Sequence, residues 1–381
     1  MIRVNVEPDL LRWARERANR TVEELGKKFP KLELWERGEA RPTFKQLEAF
    51  AKAMYVPIGY LFLSKPPEEQ LPIPDLRTIA NQKAKEPSLD LLDTIYLCQQ
   101  RQKWYHSFIR TIGEPEHAFV RSAKLTDDVK MVAEKMRHAL CFDVKERAQL
   151  QTWTEALRRF IDQADALGVL VMVNGVVGTN NRRKLNPEEF RGFALCDDLT
   201  PLVFINGADT KAAQMFTLAH ELAHLWLGES SLSDVKFDAA SSYPVETWCN
   251  RVAAELLLPL DQLRAKLQPS TDIHKELGRL AQLFKVSTLV VLRRINDIGA
   301  FTPKEFQKAY KGELELLRRM PKSKGGNFYL TLAARVGKRF ARALVISTFE
   351  GQTSFTEAFR LLGVKSAKTL RRFGTELEIG V

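Results

Sequence analysis

Apolar residues recur at helical spacing along most of this chain, and only the region from about 168 to 207 breaks into the continuous runs of buried strands. Near the start, "DLLRWARERA" predicts a first helix. Thr21 then opens "TVEELGKKF" as an N-cap, with Glu24 three residues on completing a capping box. "FKQLEAFAKAM" sets Phe44, Leu47, Phe50, Ala51 and Met54 on one face, and Pro57 ends it. Four prolines in the nine residues 66–74 predict a stiff, extended linker. Helical patterns resume over 88–150 and again in "TWTEALRRFIDQADAL". "GVLVMVNG" reads as a buried strand, and "EFRGFALCDD" and "TPLVFINGAD" as two more joined by an acidic turn. A very apolar helix follows, capped by Gly228, and then a second through "VETWCNRVAAELLL" that stops at Pro259. The rest is helical, with "GGNF" (325–328) as a hinge. The expected divisions are 1–65, a linker 66–87, a helical connecting region 88–150, a mixed unit 151–295 and a helical C-terminal module 296–381.

Length and charge sharpen this picture. A chain of 381 residues is long for one core and predicts several domains. No signal peptide opens the N-terminus and no apolar run approaches a membrane span, so a cytoplasmic protein without a membrane partner is expected. The four cysteines, Cys98, Cys141, Cys196 and Cys249, form no CxxC pair and fit neither a disulfide framework nor a thiolate zinc site. The net charge of +11 is concentrated at the ends. Residues 301–381 carry sixteen Lys/Arg against seven Asp/Glu, and residues 1–65 carry thirteen against nine. Basic surfaces at both ends suit a polyanion, most obviously DNA.

The chemistry concentrates in "FTLAHELAHLWLG", residues 216–228. His220 and His224 are four apart, so on a helix they aim two imidazoles at one point. Glu221 lies about 100° around from the first, where it reaches the open side of a bound metal. This is the HExxH arrangement, with the glutamate as general base toward the water that the metal activates. Met215, Leu218, Leu222 and Leu225 form a core stripe, so the polar trio faces an internal site. Catalytic zinc takes a third protein ligand, and the next helix offers Glu246 and Glu255. These are nine residues apart, half a turn out of phase, so one alone can face the metal. Helical phase does not choose between them.

"FTLAHELAHLWLG" followed by "VETWCNRVAAELLLP" resembles the ImmA/IrrE family of zinc metallopeptidases, over roughly residues 150–290. In the family's second signature the ligand glutamate matches Glu246, and Asn250, Ala253, Ala254 and Pro259 fall in step, with Cys249 where alanine is common. The resemblance implies a zincin-like α+β unit with a small mixed sheet and one Zn2+ per chain held by His220, His224 and Glu246. It implies that Glu221 takes the water's proton and delivers it to the leaving amine. An extended substrate is expected along an edge strand, "PLVFING". Asn250, Tyr243 and His274 are candidates to orient the ligands or stabilise the oxyanion.

The N-terminal segment resembles the XRE, or Cro/repressor-like, helix-turn-helix family through Trp35, Glu36, Gly38, Pro42 and Thr43 in "LWERGEARPT". The stretch that should read bases, "PKLELWERG", is short and opens with Pro30, leaving Lys31, Arg37 and Arg41 as candidate DNA contacts. "SFTEAFRLLGVKSAKTLRRFG" has the rhythm of helix, glycine turn, helix, with Lys365, Lys368, Arg371 and Arg372 as further candidates. The expected fold class is therefore multidomain and mostly α: an N-terminal helix-turn-helix bundle, a central zincin-like metallopeptidase unit and a basic helical C-terminal module. The family's members typically cleave a transcriptional repressor in a stress or mobile-element response, which implies a repressor-type protein substrate. The alternative is an XRE-type regulator, antitoxin-like or otherwise, in which the peptidase fold senses a signal or binds a partner.

Overall fold

The computed structural model describes residues 2–68, 71–75, 87–233, 244–268, 272–319 and 328–379. The chain divides into two compact units, one of residues 1–72 with 86–92 and one of 73–85 with 93–381. The connecting, mixed and C-terminal stretches thus share the second unit.

The first unit contains α1 (Pro8–Arg17), α2 (Val22–Gly26), α3 (Leu32–Glu36), α4 (Phe44–Ala53) and a 3-10 turn at Ile58–Phe62. Leu10, Leu11, Leu32, Trp35, Leu47 and Phe50 form its core. Thr21 accepts from the Glu24 N–H, and Thr43 and Gln46 form a full capping box on α4. Glu36 is buried and bound by Arg15 at 2.7 Å, so two of the signature positions, Trp35 and Glu36, point inward.

The second unit runs through α5 (Leu89–Ile112, its first turn counted with the first unit), α6 (Val129–Ala139), α7 (Val144–Gln149) and α8 (Trp153–Leu167). It continues through strands β1 (Leu170–Asn174), β2 (Val176–Val177), β3 (Asn180–Lys184), β4 (Gly192–Leu195) and β5 (Leu202–Asn206). Then come α9 (Lys211–Leu227), β6 (Ser231–Ser233), α10 (Pro244–Leu257), α11 (Leu260–Lys266), α12 (Ile273–Phe284), α13 (Thr288–Asp297) and α14 (Pro303–Arg319). The C-terminal helices are α15 (Phe328–Val336), α16 (Lys338–Phe349), α17 (Phe355–Leu362) and α18 (Ala367–Glu376).

Four strands pair in the order β1-β5-β4-β6, β1 parallel to β5 and the other pairs antiparallel. β4 and β5 are buried at every residue, which explains their unbroken apolar sequence. The small mixed sheet is as expected, but β5 ("PLVFING") is no edge. It lies between β1 and β4. β6 covers the outer side of β4, and a bridge from Leu232 to Asp75, with the Leu232 N–H donating to the Pro74 carbonyl at 3.0 Å, extends the sheet beyond it. The antiparallel β2–β3 hairpin was not legible in the sequence, because β3 ("NNRRK") carries no apolar alternation. Beneath the sheet, α9 packs on β4, β5, α8 and α10. No described helix is long and apolar enough to cross a membrane.

Candidate metal centre

The site is built on α9. Thr210 caps its start by accepting from the Ala213 N–H, and Gly228 ends it in the left-handed conformation at φ 81°. Every residue from Gln214 to Trp226 is buried, so His220, Glu221 and His224 lie wholly inside the protein. Ala219 and Ala223 let neighbouring elements approach closely.

The Nε2 atoms of His220 and His224 stand 3.0 Å apart. The Glu246 carboxylate, one turn into α10, puts Oε2 3.2 Å from His220 Nε2 and Oε1 3.1 Å from His224 Nε2. Among the described residues these three form the one group of buried donors able to hold a metal ion, with ligand atoms within 4.8 Å of one another. Donors on a tetrahedral cation at about 2.0–2.1 Å stand roughly 3.3 Å apart, so two imidazoles and a carboxylate at these spacings fit a zinc-sized ion. Burial pushes the Glu246 carboxyl up, but the two imidazoles more than reverse this and hold it well below the usual carboxylate range. Burial also pushes the His224 imidazole below its ordinary value despite the Glu246 hydrogen bond, which favours the neutral form that ligates a metal.

Glu255, the competitor by helical phase, is spoken for. It is buried in an ion pair with Arg294 of α13, and Arg137 of α6 donates to its backbone carbonyl at 2.8 Å. Glu221 lies against β4 at Gly192. A Cβ built there would stand 3.2 Å from Glu221 Oε1, 2.5 Å from Thr217 Cγ2 and 2.8 Å from the Phe204 carbonyl. Gly192 is a close-packed position beside Glu221 that sequence reasoning missed; its only signal was a glycine heading the apolar run "FAL".

The remaining candidates scatter. Asn250 follows Glu246 by one turn, and its Oδ1 is buried with no hydrogen-bond partner among the described residues. Cys249 is buried, and burial together with Glu246 and Glu221 pushes its thiol well above the ordinary value; it is outside the converging donors. His274 on α12 faces Glu313 of α14, with Nδ1 2.7 Å from Oε1. Tyr243 lies outside the described residues. Lys31, Arg37 and Arg41 are exposed around the five-residue α3, where Arg37 pairs with Glu33. Lys365, Lys368, Arg371 and Arg372 are exposed at the turn and along α18, Arg371 over the Phe349 ring and Arg372 over Tyr329.

An HExxH helix under a small mixed sheet, completed by a carboxylate from the next helix, is the arrangement of a metallopeptidase domain. Residues 164–296 match the family model of the IrrE N-terminal-like domain, a peptidase family. The radiation response metalloprotease IrrE of Deinococcus deserti is 30% identical over 162 residues, covering 39% of this chain and 58% of that protein. The chain therefore spans little more than half the length of this relative. Residues 336–376 match a further family model, a domain of unknown function.

Proposed function

We propose that the chain is a zinc-dependent endopeptidase that cuts a repressor-type regulatory protein and is coupled to DNA through a basic helical module. The observation that carries the peptidase reading is Glu246 seated between the imidazoles of His220 and His224, with Glu221 beside them on the same buried helix. His220, His224 and Glu246 would hold one zinc ion. Bound there, zinc supplies Lewis-acid polarisation of the scissile carbonyl and lowers the pKa of water. Glu221 takes the attacking water's proton and returns it to the leaving amine, a task for a carboxylate held at fixed distance in a site closed to bulk water. A regulatory substrate and a stress context rest on the family resemblance and on the relative named for radiation response. The reading of the peptidase fold as a pure sensor has no use for Glu221, which favours catalysis.

Zinc analysis of the purified chain tests this reading. About one zinc per chain is expected, and His220→Ala with His224→Ala loses nearly all of it. A full complement in the double variant rules the site out.

A further inference from the structure

Two basic segments far apart in sequence meet in the second unit. α17 and α18 are joined by a four-residue turn, 363–366, with Gly363 at φ 71° capping α17 and Ser366 capping α18. Leu361, Leu362, Val364, Leu370 and Phe373 are buried, and both helices pack on α16, giving a closed helix-turn-helix. The tip of the β2–β3 hairpin rests on this turn. A Cβ at Gly363 would stand 2.7 Å from Thr179 Cγ2 and 3.2 Å from its Oγ1. Arg335 of α15 holds the same hairpin by donating to Asn181 Oδ1 at 3.4 Å.

The charged side chains of these two segments are of one sign. Residues 179–184 and 363–372 together carry seven Lys/Arg, counting Arg182, Arg183, Lys184, Lys365, Lys368, Arg371 and Arg372, and no Asp or Glu. A merely solvated face mixes both signs. Arg183 is used within the fold, paired to Asp93 at 2.6 Å. Arg182, Lys184, Lys365 and Lys368 are exposed and make no ion pair among the described residues.

We propose that the β2–β3 hairpin and the α17–α18 turn form one composite surface that grips the phosphates of duplex DNA. This rests on the DNA-contact reading above and adds the hairpin to it. A helix and a two-stranded ribbon each match the width of the B-form major groove, whereas the deep, narrow major groove of an RNA duplex admits neither. The duplex presents a negative charge about every 1.7 Å of its axis, enough to engage four unpaired cations at once. The arrangement also ties DNA to the peptidase. The hairpin leaves β1 directly, and α15, which carries Arg335, packs on that same strand of the sheet beneath which α9 lies.

The test measures salt dependence of binding by the full chain to duplex DNA, to duplex RNA of the same sequence and to polyglutamate. The variants are Arg182→Gln with Lys184→Gln, and Lys365→Gln with Lys368→Gln, with zinc content and melting checked on each. All four positions are exposed, so folding and metal content should stay unchanged. Each pair should reduce the slope of log affinity against log salt for DNA by about 2, and the two reductions should add. An unchanged slope in the hairpin pair, with a reduced one in the turn pair, removes the hairpin while leaving the DNA reading standing. No DNA binding by the wild-type chain at low salt overturns both. Equal hairpin dependence on RNA or polyglutamate overturns the choice of duplex DNA.

Discussion

At the scale of single residues, the two candidate carboxylates differ in what already holds them: Glu246 lies between His220 and His224, and Glu255 is paired with Arg294. His220, Glu221 and His224 were legible because one helical turn fixes their mutual placement whatever the rest of the chain does. The choice between Glu246 and Glu255 was not legible in helical phase, because it depends on Arg294, 39 residues beyond Glu255 and on another helix. Arg294 also donates to the Leu258 carbonyl at 2.9 Å and pairs with Asp297 at 3.1 Å. Glu255→Ala would leave that guanidinium buried with only Asp297 for charge, and breaking a buried pair costs about 3–5 kcal/mol. Glu255→Ala is therefore expected to keep zinc and lose much of its resistance to urea, while Glu246→Ala loses zinc. Urea unfolding paired with zinc analysis checks this, and zinc loss in Glu255→Ala alone would reverse the assignment.

At the scale of elements, the strands with continuous apolar sequence were legible, and those without it were not. β1, β4 and β5 declare themselves by burial on both faces, whereas β6 is three residues long and β3 is wholly polar. Strand order is invisible to local pattern, which is why β5 was expected at an edge and lies in the interior. The contact that matters most between elements is the close approach of β4 to α9 at Gly192. Gly192→Ala would drive a methyl into the Thr217 side chain and the Phe204 carbonyl, and overpacking of this kind costs about 1–3 kcal/mol. The variant is expected to melt earlier and to cleave more slowly while retaining zinc, since the displaced carboxylate is that of Glu221 and not a ligand. Removing the Thr217 methyl group with Thr217→Ser should return part of the loss; a Gly192→Ala protein with wild-type melting and turnover would show that the approach is not tight.

At the scale of the whole molecule, the second unit unites stretches that composition alone separates. Arg101 of α5 is buried and donates to the carbonyls of Leu361 at 3.0 Å and Arg335 at 3.4 Å, and burial pushes its guanidinium down to about 10. Lys338 pairs with Asp162 at 2.5 Å, and Arg339 donates to the Asp165 carbonyl at 3.0 Å. Polar side chains bound to partners more than 170 residues away leave no periodic trace, so the sequence reads as modules where the fold makes one body. That body holds both the buried His220, His224 and Glu246 cluster and the basic segments of the hairpin and the α17–α18 turn. Peptide-bond hydrolysis at this site, as proposed above, depends on Glu221 as the base. Profiling protein N-termini in cells that carry the wild-type chain or Glu221→Gln tests it most directly. New N-termini inside a regulatory protein are expected with the wild type, reduced at least about a hundredfold with the variant, which keeps its zinc. The same N-termini at equal abundance in both strains would contradict it.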